Sequence, residues 1–188
     1  MRERRFKKVR FPKKAFLVIC EGETEKEYVE TLKRFYRLPI TIKTKVSGNS
    51  ISRRLVNQYI TEVGLISLDN NIFYIYDADV KHVVDTLDTL PGKKILTNPC
   101  FELWFLLHIK ACTSYQDSNM IIRMLKSSHP GWKNYIKGVL NREQEEILIN
   151  NRLIAAARSK KLLWPQNPSS NLHDFIETLE KEKKSEFR

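Results

Sequence analysis

The sequence predicts an α/β fold: a mostly parallel sheet flanked by helices, with a helical C-terminal portion. Over the first hundred residues, short apolar runs alternate with amphipathic helical patterns in the order β-α-β-α-β-α-β, which is typical of a parallel sheet. Beyond that stretch the periodicity is mainly helical. We therefore expect a basic N-terminal tail at 1–14, an α/β core at 15–112 and a helical portion at 113–188 packed on the core.

The strands are predicted from four apolar runs. Residues 15–20 and 72–76 are continuous apolar segments, which is typical of buried strands, whereas 40–46 alternates and predicts a half-exposed strand. The short run 93–96 predicts a fourth strand. Because parallel sheets bind ligands at the carboxyl ends of their strands, the residues that follow these runs are the first candidates for a functional site.

The helices are predicted from apolar periodicity and from capping residues. Thr24 and Glu27 have the capping-box spacing, so we expect a helix that begins there and runs to about Arg37, before Pro39 stops it. Further helical patterns cover 52–63, 83–90, 103–111, 117–126, 131–138, 143–159 and 171–183.

Carboxylates follow two of the predicted strands. Glu21 comes directly after the first strand, and Asp77 and Asp79 come directly after the third. Mg²⁺ prefers oxygen ligands and often takes only one or two carboxylates, because water and substrate phosphates supply the rest. Such an ion activates water or stabilises a leaving oxygen at phosphorus; Glu21 is alternatively placed to act as a general acid or base. A polar loop at the sheet edge explains the same pattern, and the residues alone leave that alternative open.

Three further residues are candidate catalytic groups. Glu102 falls in the first turn of a helix, where the helix dipole favours a carboxylate, so it is either a metal ligand or base, or a cap of its own helix. His108 lies in an apolar setting and is either functional or a core residue. His173 follows a loop in which Ser170 or Asn171 would cap the last helix. It contacts a substrate phosphate there, serves in proton transfer, or belongs to a loop that only caps the helix.

The charge of the chain favours a polyanionic partner. The formal net charge is +11, and lysine and arginine are concentrated in the first fourteen residues. Such a cluster indicates nucleic acid first and an acidic membrane surface second, although a solvated tail explains it as well. The candidate nucleic-acid-binding residues are Arg4, Arg5, Lys7, Lys8, Arg53, Arg54, Arg158, Lys160, Lys161 and Asn171.

The cysteines and the hydropathy pattern favour the cytoplasm. Cys20, Cys100 and Cys112 lack the spacing of a zinc site and are too few for a disulfide framework. The sequence has neither the pattern of a signal peptide nor an apolar segment long enough to span a membrane. We therefore expect a cytoplasmic protein that does not associate with a membrane.

Several motifs resemble a known family. Residues 20–25, CEGETE, and 77–79, DAD, resemble the Toprim fold of topoisomerases, primases and old-type nucleases, in which a glutamate follows the first strand and a DxD pair follows a later one. Residues 98–104, NPCFELW, with the LH pair at 107–108 and NPSSNLH at 167–173, resemble the RloB family. Members of that family are Toprim-related proteins from bacterial and archaeal defence or restriction-associated loci.

This resemblance implies a Toprim-like sheet and a Mg²⁺-dependent (or Mn²⁺-dependent) nuclease. Its substrate would be nucleic acid, with RNA such as tRNA favoured over DNA, and its role would be anti-phage or mobile-element defence alongside a regulatory partner of the defence system. The resemblance also implies that Glu21, Asp77 and Asp79 form the metal site. Glu25 and Glu102 would be further acidic members near it.

One position departs from the expected family pattern. Ala78 stands between the two aspartates, where many relatives are expected to have a basic or polar residue, and this removes one phosphate contact. Two other functions are kept for other reasons: the basic N-terminus and the lack of a second obvious metal cluster in the sequence favour the first, and the defence association of the family favours the second. One is a non-catalytic nucleic-acid-binding module with a structural acidic site, and the other is a sensor or enzyme for a small phosphorylated nucleotide.

Overall fold

Five strands form one sheet with the order β2-β1-β3-β4-β5 in the computed structural model, which describes residues 14–38, 40–64 and 71–185. Strands β1 to β4 are parallel, and β5 pairs antiparallel with β4. The predicted class, a mostly parallel α/β sheet with flanking helices and a helical C-terminal portion, is confirmed. The strands are β1 (Ala15–Cys20), β2 (Thr41–Val46), β3 (Ile72–Asp77), β4 (Lys93–Asn98) and β5 (Ser169–Ser170).

The helices connect and cover these strands. None of them, within the described ranges, has the length and apolar character needed to cross a membrane. The basic residues Arg4, Arg5, Lys7 and Lys8 lie outside the described residues. The helices are α1 (Glu23–Tyr36), α2 (Arg53–Val63), α3 (Lys81–Asp88), α4 (Glu102–Ile109), α5 (Ser118–Ser128), α6 (Arg142–Asn150), α7 (Arg152–Ser159) and α8 (Leu172–Ser185), with a 3-10 helix at Pro130–Trp132.

Two helix predictions are wrong in the C-terminal portion. The 131–138 pattern is not an α-helix, because its aromatic residues Trp132 and Tyr135 are buried anchors of a short 3-10 turn and a tight bend. The bend is closed by a bridge between Ile136 and Val139. The 143–159 pattern is two helices that meet at Asn151, rather than one continuous helix.

The start of α1 also differs from the prediction. Gly22, not Thr24, is the N-cap residue, and the helix begins at Glu23. The carboxylate of Glu25 accepts a hydrogen bond from the backbone N–H of Gly22 at 2.9 Å, which gives a capping contact two residues earlier than the sequence pattern indicated. Thr24 is thereby free to bind another segment of the chain, described below.

Helices cover both faces of the sheet, and this arrangement positions the site. Alternate residues of β1 point to opposite faces: Phe16 and Val18 pack in the core beneath α1 and α4 to α8, whereas Leu17 and Ile19 pack against α2 and α3. Helix α1 therefore leaves β1 towards one face, and α3 leaves the neighbouring β3 towards the other. A crevice forms at the carboxyl ends of two such strands, where open α/β sheets bind ligands.

Aromatic packing fixes α4 beside α1 on the same face. The ring of Tyr28, on α1, makes edge contacts with Phe101, Trp104 and Phe105, with ring centroids 5.8, 6.4 and 5.8 Å away. These side chains are fully buried or nearly so, and such edge-to-face pairs stabilise a core beyond the burial of their area. The first turns of α1 and α4 consequently lie at the same edge of the sheet.

Candidate active site

The carboxyl ends of β1 and β3 bring two of the predicted metal residues together. Glu21 follows β1 and Asp77 ends the adjacent β3, and the backbone N–H of Asp77 donates a hydrogen bond to Oε2 of Glu21 at 2.9 Å. Asp79 lies two residues further on and is exposed. The pair Glu21 and Asp77 is therefore the centre of the candidate site, with Asp79 at its solvent edge.

Asp77 has an unsatisfied oxygen. Its Oδ1 atom is buried and has no hydrogen-bond partner among the described residues. Burial raises the pKa of the Asp77 carboxyl to about 9, and the nearby charges of Glu25, Glu21 and Glu102 raise it further in the same direction. A buried polar atom without a partner costs free energy, so a hydrogen-bond donor or a cation bound at this atom would stabilise the site.

Two glutamates beside it are also held partly out of water. Burial raises the pKa of Glu25 to about 7, although the backbone N–H of Gly22 favours the charged form. Burial likewise raises the pKa of Glu21, against the opposing effect of the Asp77 N–H. Glu25 lies in the first turn of α1, where the helix dipole offsets part of the repulsion between these carboxylates.

Glu102 is bound by side chains from a distant segment. It is 1% exposed, and its Oε1 accepts a hydrogen bond from the hydroxyl of Tyr135 at 3.1 Å and lies 3.2 Å from Nζ of Lys137. Burial alone lowers the pKa of Lys137, but the Glu102 carboxylate outweighs burial and raises it. Both partners come from the chain between α5 and α6, so Glu102 anchors that chain to the site.

A tight bend places Lys137 in the site. Ile136 and Val139 form a β-bridge around Lys137 and Gly138. Gly138 has φ +79°, and its N–H donates to Oγ1 of Thr24 at 2.9 Å. Our sequence reasoning assigned this stretch to a helix and missed Lys137 and Tyr135. The available signal was the Lys-Gly pair between two β-branched residues, which is typical of a two-residue hairpin turn.

The ends of β1 and β3, the start of α1 and the bend at Lys137 and Gly138 line an open cleft of about 320 Å³. Its wall contains the carboxylates of Glu21, Glu23, Glu25 and Asp77, with Lys137 opposite as the cationic member. Within the described ranges, no group of three or more His, Cys, Asp and Glu side chains is arranged to hold a metal ion. The orphaned oxygen of Asp77, however, fits a cation bound by fewer protein ligands, with water and substrate oxygens as the others.

The two histidine candidates lie outside the lining of this cleft. His108 is 2% exposed, its Nδ1 bonds to the carbonyl oxygen of Trp104 at 2.8 Å, and burial lowers its pKa to about 3. It is therefore a neutral residue of the core. His173 lies at the start of α8, with Nδ1 2.9 Å from Oγ of Ser159 and Nε2 3.6 Å from Asp174.

The described basic candidates are spread over several surfaces rather than gathered at the cleft. Arg54 and Lys161 are exposed. Three other cations are engaged within the protein: Arg53 donates to the carbonyl of Thr89 at 2.6 Å, Arg158 donates to the carbonyl of Leu107 at 2.7 Å, and Lys160 pairs with Glu177.

Asn171 has a structural partner on each polar atom of its side chain. Its Oδ1 accepts from the N–H of Leu96 at 2.6 Å, and its Nδ2 donates to the carbonyl of Lys94 at 2.9 Å. These two bonds continue the pairing of β5 with β4 and attach the start of α8 to the sheet. The side chain is therefore committed to the fold in this structure.

Comparison with known proteins adds a family to this geometry. The family described as "RloB-like protein" matches residues 16–179, which include the sheet except for Ala15 and every residue of the acidic cleft. Searches of curated proteins and of solved structures found no match. Because the match covers most of the chain, the protein belongs to the RloB-like family.

Proposed function

We propose that this protein is a metal-dependent nuclease and that the acidic cleft at the carboxyl ends of β1 and β3 is its active site. The observation that carries the proposal is the buried Oδ1 of Asp77, which has no hydrogen-bond partner among the described residues and lies near the carboxylates of Glu21 and Glu25. A divalent cation satisfies such an atom and offsets the surrounding negative charge. The resemblance of the strand-end acids to Toprim nucleases supports the same function.

Each group in the cleft has a chemical task under this proposal. Asp77 holds Mg²⁺ or Mn²⁺, with Glu21 and Asp79 as the neighbouring carboxylates. The bound ion neutralises charge at the phosphodiester and lowers the pKa of water. Burial raises the pKa of Glu21, which favours a role for this carboxyl in proton transfer. Lys137 supplies a cation for a non-bridging phosphate oxygen.

The proposed substrate is a nucleic acid. The net charge of +11 favours a long polyanion, and the RloB resemblance favours RNA, such as tRNA, over DNA. Within this proposal the protein acts in cytoplasmic defence against phage or mobile elements and is controlled by a regulatory partner. A small phosphorylated ligand is less well supported, because the excess positive charge belongs to the whole chain and extends beyond one small pocket, which favours a long polyanion.

A non-catalytic nucleic-acid-binding module is the second candidate. It is favoured by the ion pair of Lys137 with Glu102, which already brings a cation to the acids. It is also favoured by the lack, among the described residues, of a group of three or more side chains arranged for a metal. In that case the acidic cluster is structural, and nucleic acid binds elsewhere on the chain.

Cleavage assays with matched variants separate these functions. Purified protein is incubated with tRNA, single-stranded RNA and plasmid DNA in Mg²⁺, in Mn²⁺ and in EDTA. We expect metal-dependent cleavage that is lost in Asp77→Asn and Glu21→Gln and kept in Asp85→Asn, which changes an exposed carboxylate on α3. Cleavage by Asp77→Asn at the parent's rate contradicts the proposal, and salt-sensitive binding without cleavage in either metal favours the binding module.

A further inference from the structure

We propose that an exposed aromatic surface next to the acidic cleft binds unpaired bases of single-stranded nucleic acid. The surface consists of Tyr115, Leu163 and Trp164 with Lys161 beside them, and we call it the aromatic surface. If the aromatic surface presents substrate to the cleft, that role depends on the proposed nuclease function. Its role as a binding site depends only on its exposure, rigidity, location and charge.

The exposure of these side chains is unusual for their type. Two of the three tryptophans in the chain, Trp104 and Trp132, are fully buried, whereas Trp164 is 45% exposed. Tyr115 and Leu163 are 76% and 70% exposed. Large apolar side chains grouped at a surface mark interaction sites more often than isolated ones do, so this group needs an occupant.

The two loops that present these side chains are joined to each other. Asn167 binds both backbone groups of Gln116: its Oδ1 accepts from the N–H at 3.2 Å, and its Nδ2 donates to the carbonyl at 2.8 Å. The loop that contains Tyr115 is thereby fixed beside the loop that contains Leu163 and Trp164. A pocket of about 150 Å³ lies at this junction, with Lys161 and Leu163 in its wall. The aromatic surface is therefore ordered before a ligand arrives, which lowers the entropic cost of binding.

The surface lies at the same edge of the sheet as the acidic cleft. Asn98, the last residue of β4, donates from Nδ2 to the carbonyl of Pro165 at 3.0 Å, which attaches the Trp164 loop to the carboxyl end of that strand. Strand β4 is the neighbour of β3, and its Thr97 is in register with Asp77. A single-stranded nucleic acid bound on the aromatic surface therefore lies along the sheet edge that contains the acidic cleft.

The charge beside the surface matches a nucleic-acid backbone. The hydrogen bond from Arg158 to the carbonyl of Leu107 joins the ends of α7 and α4, and Thr113, three residues after Lys110, lines the same pocket as Lys161. Lys110 and Lys161 are exposed, and Lys160 pairs with Glu177. Stacking of bases on aromatic side chains, combined with lysine contacts to phosphate, is how proteins hold single strands without reading their sequence. This combination favours a single-stranded nucleic acid over an apolar face of another protein.

Tryptophan fluorescence tests the inference directly. Because Trp104 and Trp132 are buried, quenching on addition of a nucleic acid reports on Trp164. Titrations are run in EDTA, so that cleavage cannot occur, with a twelve-nucleotide oligo(U), an oligo(dT) of equal length and a twelve-base-pair duplex. We expect saturable quenching by the single strands that weakens with added salt, and little quenching by the duplex.

Variants identify the residues responsible, with affinity measured by anisotropy of labelled oligo(U). We expect Trp164→Ala to weaken binding about tenfold or more, a range typical of the loss of one stacked base, and Tyr115→Ala to weaken it as well. Ile154→Ala is the matched control, because it removes an apolar side chain that is 48% exposed on α7 outside the aromatic surface. Urea denaturation checks that each variant is folded.

The outcomes distinguish this inference from the proposed function. Unchanged affinity of a folded Trp164→Ala variant, or equally tight binding of the duplex, overturns the aromatic surface even if the protein cleaves RNA. Self-association of the parent that is lost in Trp164→Ala shows that a second copy occupies the surface, and this also overturns it. Binding that depends on Trp164 in a protein that cleaves nothing keeps the surface and refutes the nuclease.

Discussion

The substitution Asp77→Asn tests the central electrostatic statement about the cleft. Without a bound cation, the Asp77 carboxylate is buried among other acids and has a pKa near 9, compared with 3.8 when unperturbed. The unfolded chain ionises this group above about pH 4, whereas the folded chain resists ionisation until pH rises past about 9. The group therefore contributes stability at low pH, and this contribution is lost progressively as pH rises between those two values.

The size of this effect follows from the pKa difference. At pH 7 the Asp77 carboxyl is ionised in the unfolded chain and protonated in the folded chain. Because pH 7 lies about three units above the pKa of the unfolded chain, this difference lowers the free energy of unfolding by roughly 4 kcal/mol, at 1.36 kcal/mol per unit. Because Asp77 as a whole is only half-buried and water reduces the penalty, we expect about half of that value, ~2 kcal/mol. Asp77→Asn keeps the shape of the side chain and removes the charge, so the metal-free variant should be more stable than the metal-free parent by ~2 kcal/mol.

The assay is urea denaturation of both proteins in EDTA at several pH values, repeated with Mg²⁺. The stability gap should widen as pH rises from about 5 to about 8, and Asp85→Asn should show no such trend. Mg²⁺ at ten times its dissociation constant should raise the parent's free energy of unfolding by about 1.4 kcal/mol and the variant's by less. A metal-free variant that is no more stable than the parent at pH 8 refutes the reasoning.

Three further predictions concern stability, each measured by urea denaturation. Lys137→Met should lower the free energy of unfolding by about 1 kcal/mol, because the buried Glu102 loses its cation, while Lys137→Arg should lose less; equal stability of the Met variant and the parent contradicts this. His108 stays neutral in the folded state down to about pH 3, whereas it becomes protonated in the unfolded chain below about pH 6.5. Between pH 7 and pH 5 the free energy of unfolding of the parent should therefore fall by about 2 kcal/mol more than that of His108→Phe. Parallel pH profiles of the two proteins contradict this. Arg152→Lys should lower the free energy of unfolding by about 1–2 kcal/mol, because Nε and Nη2 of Arg152 both donate to Glu180, at 3.1 and 3.0 Å. A decrease below about 0.5 kcal/mol, which is the range of an ordinary surface substitution, contradicts this.

The sheet was predictable because its signals are local. Continuous apolar runs such as 72–76 and the turns between them mark buried parallel strands, and the strand order places their carboxyl ends at one edge. Glu21 and Asp77 were found from this rule alone, since each directly follows such a run. Even their direct contact, through the Asp77 N–H, follows from β1 and β3 being neighbours.

The other half of the site was not predictable, because it depends on contacts between distant segments. Lys137 enters the cleft from a bend more than thirty residues after Glu102. The periodicity of its aromatic neighbours Trp132 and Tyr135 resembles a helix, although they pack inward from a 3-10 turn. Asn171 illustrates the same limit: it has the appearance of a capping or binding residue, yet it pairs with the backbone of β4.

The hydrogen bonds divide the acids of the cleft into two groups with different tasks. Glu25 is satisfied by the N–H of Gly22, and Glu102 is satisfied by Tyr135 and Lys137. These two glutamates therefore hold the walls of the cleft. Asp77 lacks such a partner among the described residues, so its charge is available to a ligand. Glu102, which the sequence left as a metal ligand, a base or a cap of its own helix, contacts Tyr135 and Lys137 in this structure, and we infer that it positions Lys137. A Glu102→Gln variant should accordingly weaken phosphate-dependent steps in two ways, because Lys137 loses its partner and because Asp77 loses a nearby negative charge that favours a cation.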